Sequence, residues 1–190
     1  MAEFRAAVGN KRERLTHAAM MAVYRRGFGR TALSDIAREA RIPLGNVYYY
    51  FKTKDEIGAA IVARRRERIR KLLRGLDGLP TPRERLRGFV RIKIDERRDL
   101  ARSGCPVGTL NAELHKDRGP VARKAAQLFT EVLDWLEGEF RALGKGADSR
   151  GLAVHLLSAT QGVSLLAYTF HDPRLIDAEA ARLQEWIAAL

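Results

Sequence analysis

Asn46 follows Gly45 and precedes a run of three tyrosines, Tyr48, Tyr49 and Tyr50, with Lys52 and Lys54 shortly after. A carboxamide can pair with the edge of a base, and a glycine lets a helix backbone come close to a duplex. Phenols and ammonium groups suit phosphate oxygens. Leu44 or Pro43, just ahead of them, can meet a thymine methyl. Thr31, further upstream, adds a hydroxyl of the kind that contacts phosphate.

Chemistry of other kinds finds little support. His17, His115, His155 and His171 show no metal-ligand spacing and no Gly-rich phosphate loop is present, so neither a metal nor a cofactor is expected. Cys105 and His115 could imitate a thiol nucleophile and its base, but their separation on an expected helix start disfavours it. The chain does not read as an enzyme. A single cysteine also rules out an intrachain disulfide.

Charge is segregated. Residues 1–74 carry 18 Lys and Arg against 7 Asp and Glu, whereas residues 75–190 carry 17 against 16, so nearly all of the net charge of +12 lies in the first part. Such an excess attracts a polyanion, either nucleic acid or an anionic membrane surface. The opening MAEFRAAVGNKRERL lacks the apolar stretch of a secretory signal, and runs such as Val163 to Ala167 fall far short of a membrane span. A cytoplasmic protein with no membrane partner is expected, and a basic membrane-surface protein, with Arg64 to Lys71 as its best segment, is the remote alternative.

The elements that must position these residues are helices throughout, because the apolar residues recur at helical period and no alternating run persists. An all-α fold is expected. Leu15, Ala19, Ala22 and Val23 mark one face of a helix from about Lys11 to Arg26, closed by Gly27 and Gly29. A short helix from about Ser34, as N-cap, to Ala40 follows, then another with Pro43 in its first turn, running to about Tyr50. Two short helices joined by three residues form a helix-turn-helix, whose second member can enter the major groove. Ile36, Ala37, Ala40, Ile42 and Val47 supply its interior, with Phe51 as a plug. Longer helices are expected over about 55–73, 83–102, 109–116, 120–143, 148–170 and 173–190.

The segment TALSDIAREARIPLGNVYYYFKTKDEI, Thr31 to Ile57, resembles the DNA-binding segment of the TetR family of bacterial repressors. The shared elements are Thr31, Asp35-Ile36-Ala37, the aromatic cluster Tyr48-Tyr49-Tyr50-Phe51, and the following Lys52 and Lys54. Many family members have Gly in the turn where this chain has Arg41. The resemblance implies a DNA-binding domain over 1–54 and an effector-binding and dimerisation domain over 55–190. On a palindromic duplex operator, Thr31, Tyr49, Tyr50, Lys52 and Lys54 would then contact phosphate, Asn46 would pair with a base edge and Pro43 or Leu44 would meet a thymine methyl, with Gly45 letting the helix come close and Tyr48 on the same DNA-facing side.

It also implies a homodimer through the last two helices and a pocket for a small-molecule effector. Ile176, Ala180, Leu183, Ile187 and Leu190 recur at spacings of four and three, which reads as a packing seam. Core packing explains the seam as well as an interface does. The stretch SGCPVGTLNAEL, Ser103 to Leu114, resembles a motif in a branch of the family containing repressors that respond to electrophiles through a cysteine. Cys105 would there be the sensor, since a helix N-terminus stabilises an anionic sulfur. In the alternative, Cys105 is a packing residue and the effector is a reversible apolar ligand.

Overall fold

A computed structural model describes residues 11–116 and 119–190, so the opening ten residues read above for a leader lie outside the described residues. Ten α-helices are present among the described residues: α1 Lys11–Arg26, α2 Leu33–Ala40, α3 Leu44–Tyr50, α4 Lys54–Asp77, α5 Pro82–Asp95, α6 Arg97–Ser103, α7 Pro106–Leu114, α8 Pro120–Ala142, α9 Ser149–Phe170 and α10 Arg174–Ala189. A short 3₁₀ turn, Gly146–Asp148, precedes α9. The fold is all-helical, as the periodicity requires.

Contacts divide the chain into two compact units. One takes in residues up to Glu67 together with Thr109–Ala126, and the other Arg68–Gly108 with Gln127–Leu190.

In the first unit, α1 buries Leu15, Ala18, Ala19, Ala22 and Val23 and stops at Gly27, whose φ of +90° suits a residue without a side chain. Helix α2 begins slightly before the expected Ser34. Its N-cap is Ala32, because the Asp35 carboxylate reaches back to accept the Ala32 N–H at 3.1 Å. Pro43 stands just outside α3 as its N-cap rather than in its first turn. Helix α4 starts under Thr53, whose hydroxyl accepts the Glu56 N–H at 3.1 Å while the Glu56 carboxylate accepts the Lys52 N–H at 2.8 Å.

In the second unit, the single helix expected over 83–102 is two, broken at Glu96, whose backbone leaves helical geometry. Leu86, Phe89, Val90, Leu136, Phe140, Ala153, Leu156, Leu183 and Ile187 form its main core. A smaller cluster joins Leu100, Ala101, Cys105, Ala167 and Ile176. The seam on α10 therefore needs correcting: Ile176, Ala180, Leu183 and Ile187 are buried within this chain, on a helix that packs against α5 and α9, and they cannot meet a second copy. The segment Gly146–Phe170 is long and apolar enough to cross a membrane by length and composition. Ala153, Leu156, Leu157, Thr160, Ser164 and Ala167 are nevertheless buried along one side, so that face of the helix packs within the second unit.

Candidate nucleic-acid interface

The helix-turn-helix is held from behind by α1. Arg14 donates to the Ala40 carbonyl at 3.0 Å, at the C-terminal end of α2, and Arg25 pairs with Glu39 at 2.7 Å. Beneath, Ile36, Ala37, Ala40, Ile42, Val47 and Phe51 are all buried, the set that the sequence supplied for the interior. The Arg12 guanidinium lies over the Phe51 ring, 5.2 Å from its centroid.

Arg41 makes the turn with φ 53° and ψ 49°, a left-handed residue that closes α2 while its N–H reaches the Arg38 carbonyl at 3.1 Å. A side chain in that conformation costs about 1 to 2 kcal/mol. The turn thus keeps the shape that glycine commonly supplies, at a cost in strain.

With Val47 turned inward, helical geometry sends Gly45 and Tyr49 to the opposite side of α3. Tyr49 is 75% exposed, Tyr48 49% and Leu44 40%. Pro43, Gly45 and Lys52 are also exposed, whereas Asn46, Tyr50 and Lys54 are half-buried. A Cβ on Gly45 would meet nothing within 4 Å among the described residues, so no packing among them requires a glycine there. The Tyr49 and Tyr50 rings meet edge to face with centroids 5.0 Å apart, which steadies both phenols.

Two residues of the expected face are engaged elsewhere. Thr31 is 2% exposed; its hydroxyl donates to the Gly27 carbonyl at 2.8 Å and its N–H to the Phe28 carbonyl at 3.3 Å, so it closes the turn after α1 with no donor left over. Lys54 donates to the Gly29 carbonyl at 2.9 Å and lies 4.9 Å from the centroid of the Phe28 ring. An ammonium has three protons, so Lys54 keeps donors for another partner.

Asp35 is surrounded by donors. The Ala32 N–H, together with Arg26 at 3.1 Å and the neighbouring Arg38, holds its carboxyl below the usual range. The carboxylate therefore serves as a joint between α1 and the start of α2.

Cys105 belongs to the second unit and is 8% exposed. It immediately precedes α7, and its Sγ accepts the Gly108 N–H at 3.5 Å in the manner of a capping residue. Sequence reasoning missed three residues that fix the first unit: Arg14, Phe28 and Glu113, the last of which accepts the Gly29 N–H at 3.0 Å. It also passed over Thr53, although Thr53 and Glu56 stand at the spacing of a capping pair.

Residues 15–61 match the family of bacterial regulatory proteins described as the tetR family, and residues 82–182 match the C-terminal domain described as transcriptional regulator LmrA/YxaF-like. The chain is 34% identical over 92 residues to the transcriptional regulator AcuR of Cereibacter sphaeroides, a match covering 47% of this chain and 42% of AcuR. It is 27% identical to the HTH-type transcriptional repressor NemR of Escherichia coli K12, covering 79% of this chain and 67% of NemR. In fold, it is similar to a TetR transcriptional regulator from Legionella pneumophila with a TM-score of 0.83 at 19% identity, over 94% of this chain and 97% of the other.

Proposed function

Because the chain belongs to the tetR family of bacterial regulatory proteins, we propose that it is a cytoplasmic repressor that binds a pseudo-palindromic duplex operator as a homodimer and leaves it when an effector acts on the second unit. The observation that carries this reading is the outer side of α3. Gly45, Tyr48 and Tyr49 lie open on a short helix whose inner side is fully packed. Such a helix presents its first turns to the major groove. Asn46 and Tyr48 then face base edges with Pro43 and Leu44 against apolar ones, while Tyr49, Tyr50, Lys52 and the spare donors of Lys54 take phosphates.

Dimerisation through the last two helices is supported by what α9 leaves uncovered. Val154, Leu165, Leu166, Tyr168 and Phe170 are all exposed on α9, an unusual concentration for a soluble chain standing alone. On α10 the exposed residues Ala178, Ala181 and Ala188 are small enough for another helix to come close. A second copy is the occupant that the family reading requires, because a two-fold operator needs two recognition helices.

The effector has two candidate modes. Covalent modification at Cys105 is favoured by the place of its sulfur at the start of α7, where an enlarged side chain would disturb the cap. A reversible apolar ligand is the other mode, with Cys105 then a packing residue.

The reading is tested by selecting bound duplexes from random sequence and measuring the mass of the complex. A pseudo-palindrome occupied by a dimer, with half-sites about one helical turn or a multiple apart, is expected. A protein that selects no duplex, or binds specifically as a monomer, overturns it.

A further inference from the structure

The turn between α1 and α2 is gripped by a residue 84 positions away in sequence. Glu113, near the end of α7, places its carboxylate across the Gly27–Gly29 turn. Its Oε2 accepts the Gly29 N–H at 3.0 Å, and its Oε1 lies only 2.7 Å from where a Cβ on Gly27 would stand. Gly27 is required for its φ of +90°, and a side chain there would in addition have to push the Glu113 carboxylate aside.

The rest of the turn is held as tightly. Lys54 takes the Gly29 carbonyl at 2.9 Å and Thr31 takes the Gly27 carbonyl at 2.8 Å. Phe28 is 6% exposed, and a Cβ on Gly58 would lie 3.1 Å from both its ring and a methyl of Val121. Residues 109–126, which supply Glu113 and Val121, belong to the same compact unit as the helix-turn-helix although both flanking stretches of chain belong to the other.

Electrostatics alone would not put a carboxylate here. In a unit that attracts a polyanion, a negative charge weakens attraction, so its placement calls for a compensating structural gain. That gain is the fixed geometry of the Gly27–Gly29 turn, from which α2 and α3 follow.

We propose that Glu113 is a positioning residue for DNA binding: its carboxylate latches the Gly27–Gly29 turn and so sets α2 and α3 in the orientation that the duplex selects. The proposal rests on the DNA-binding reading. The latch acts through one accepted hydrogen bond, which a carboxamide oxygen can also accept.

Glu113→Gln and Glu113→Ala therefore make the discriminating pair. Both remove the same charge, so the electrostatic benefit of losing it is common to them, and only the glutamine keeps an acceptor. The probe is a duplex selected from random sequence by the parent protein. Glu113→Gln should bind it as well as the parent or more tightly, whereas Glu113→Ala should bind about three- to tenfold more weakly than Glu113→Gln, the scale of one lost hydrogen bond between neutral groups. Equal affinity of the two variants overturns the proposal.

Amide hydrogen exchange at Gly29, measured without DNA, supplies the second arm. Faster exchange in Glu113→Ala, with Gly45 to Tyr50 remaining as protected as in the parent, is expected of a released latch. Unchanged exchange at Gly29, or protection lost throughout α3 as in general unfolding, overturns it. A parent protein that selects no duplex overturns the functional reading and the positioning role with it, and the exchange arm then shows separately whether the latch itself exists. Gly27→Ala gives an independent variant: placed in the Glu113→Ala background it should cost less affinity than in the parent, because the carboxylate it would displace is already gone.

Discussion

The Asp35 carboxylate accepts the backbone N–H of Ala32 at 3.1 Å and pairs with Arg26 at 3.1 Å, so one side chain both caps α2 and ties it to α1. Ionisation strengthens the hydrogen bond from the Ala32 N–H and is required for the ion pairs with Arg26 and Arg38. Folding therefore lowers the carboxyl from its ordinary value of 3.8, mainly through the Ala32 N–H and then through Arg26 and Arg38.

The sign of the pH effect follows. The stabilisation is fully present above the ordinary value of 3.8 and is lost as pH falls through the lowered folded value. Denaturant midpoints measured down the acid range should fall less steeply in Asp35→Asn than in the parent, and the variant should be less stable at neutral pH. Parallel acid profiles would show that the carboxylate contributes nothing through its charge.

Much of the first unit was legible because its determinants are local. The bounds of α1, the buried set from Ile36 to Phe51 and the exposure of Tyr49 follow from helical period and glycine stops, which neighbouring residues specify. What escaped depends on residues brought together over long separations. Glu113 has no local pattern that marks it, and Thr31 looks like a free hydroxyl until Gly27 is placed beside it. The α10 seam failed for a related reason: spacings of four and three identify a buried face without saying whether its partner is the same chain or another.

Arg41 offers a direct measure of the strain in the turn. At φ 53° a side chain costs about 1 to 2 kcal/mol, and a glycine returns about 0.4 to 1 kcal/mol of that to unfolded-chain entropy. Arg41→Gly should accordingly raise stability by about 0.5 to 1 kcal/mol in chemical denaturation. A destabilised variant would mean that the Arg41 side chain makes contacts worth more than the strain.

Gly45 separates stability from recognition. With nothing among the described residues within 4 Å of an added Cβ, Gly45→Ala should stabilise α3 by about 0.5 to 1 kcal/mol. It should also weaken operator binding by about tenfold, since the methyl would stand where the duplex comes close. Opposite shifts in melting temperature and in affinity are the expected signature, and unchanged affinity would remove Gly45 from the interface.

The exposed and buried leucines of the last two helices predict different failures. Leu165 is 63% exposed, so Leu165→Glu should leave the protomer folded, halve its mass in sedimentation and weaken operator binding strongly because both half-sites are lost together. Leu183 is 3% exposed within the core, and Leu183→Glu should cost more than about 4 kcal/mol and fail to fold. A Leu165→Glu protein that stays dimeric would move the interface away from this part of α9.

Cys105 decides between the two modes of effector action. Its sulfur is nearly enclosed and accepts the Gly108 N–H, so an adduct cannot be accommodated with the cap and the surrounding cluster of Leu100, Ala101, Ala167 and Ile176 unchanged. N-ethylmaleimide adds the thiol across its double bond, forming a thioether and transferring the proton to carbon. The adduct should break the Gly108 contact, loosen the start of α7 and release the operator. Serine at the same position is a strong N-cap and keeps an acceptor for Gly108 while removing the nucleophile. Cys105→Ser should therefore bind operator like the parent in the absence of reagent and remain bound when N-ethylmaleimide is added, with mass spectrometry locating a single adduct in the parent alone. Equal release from both proteins, or a thiol that stays unmodified in the native parent, would leave Cys105 as a capping and packing residue and assign regulation to a reversible apolar ligand.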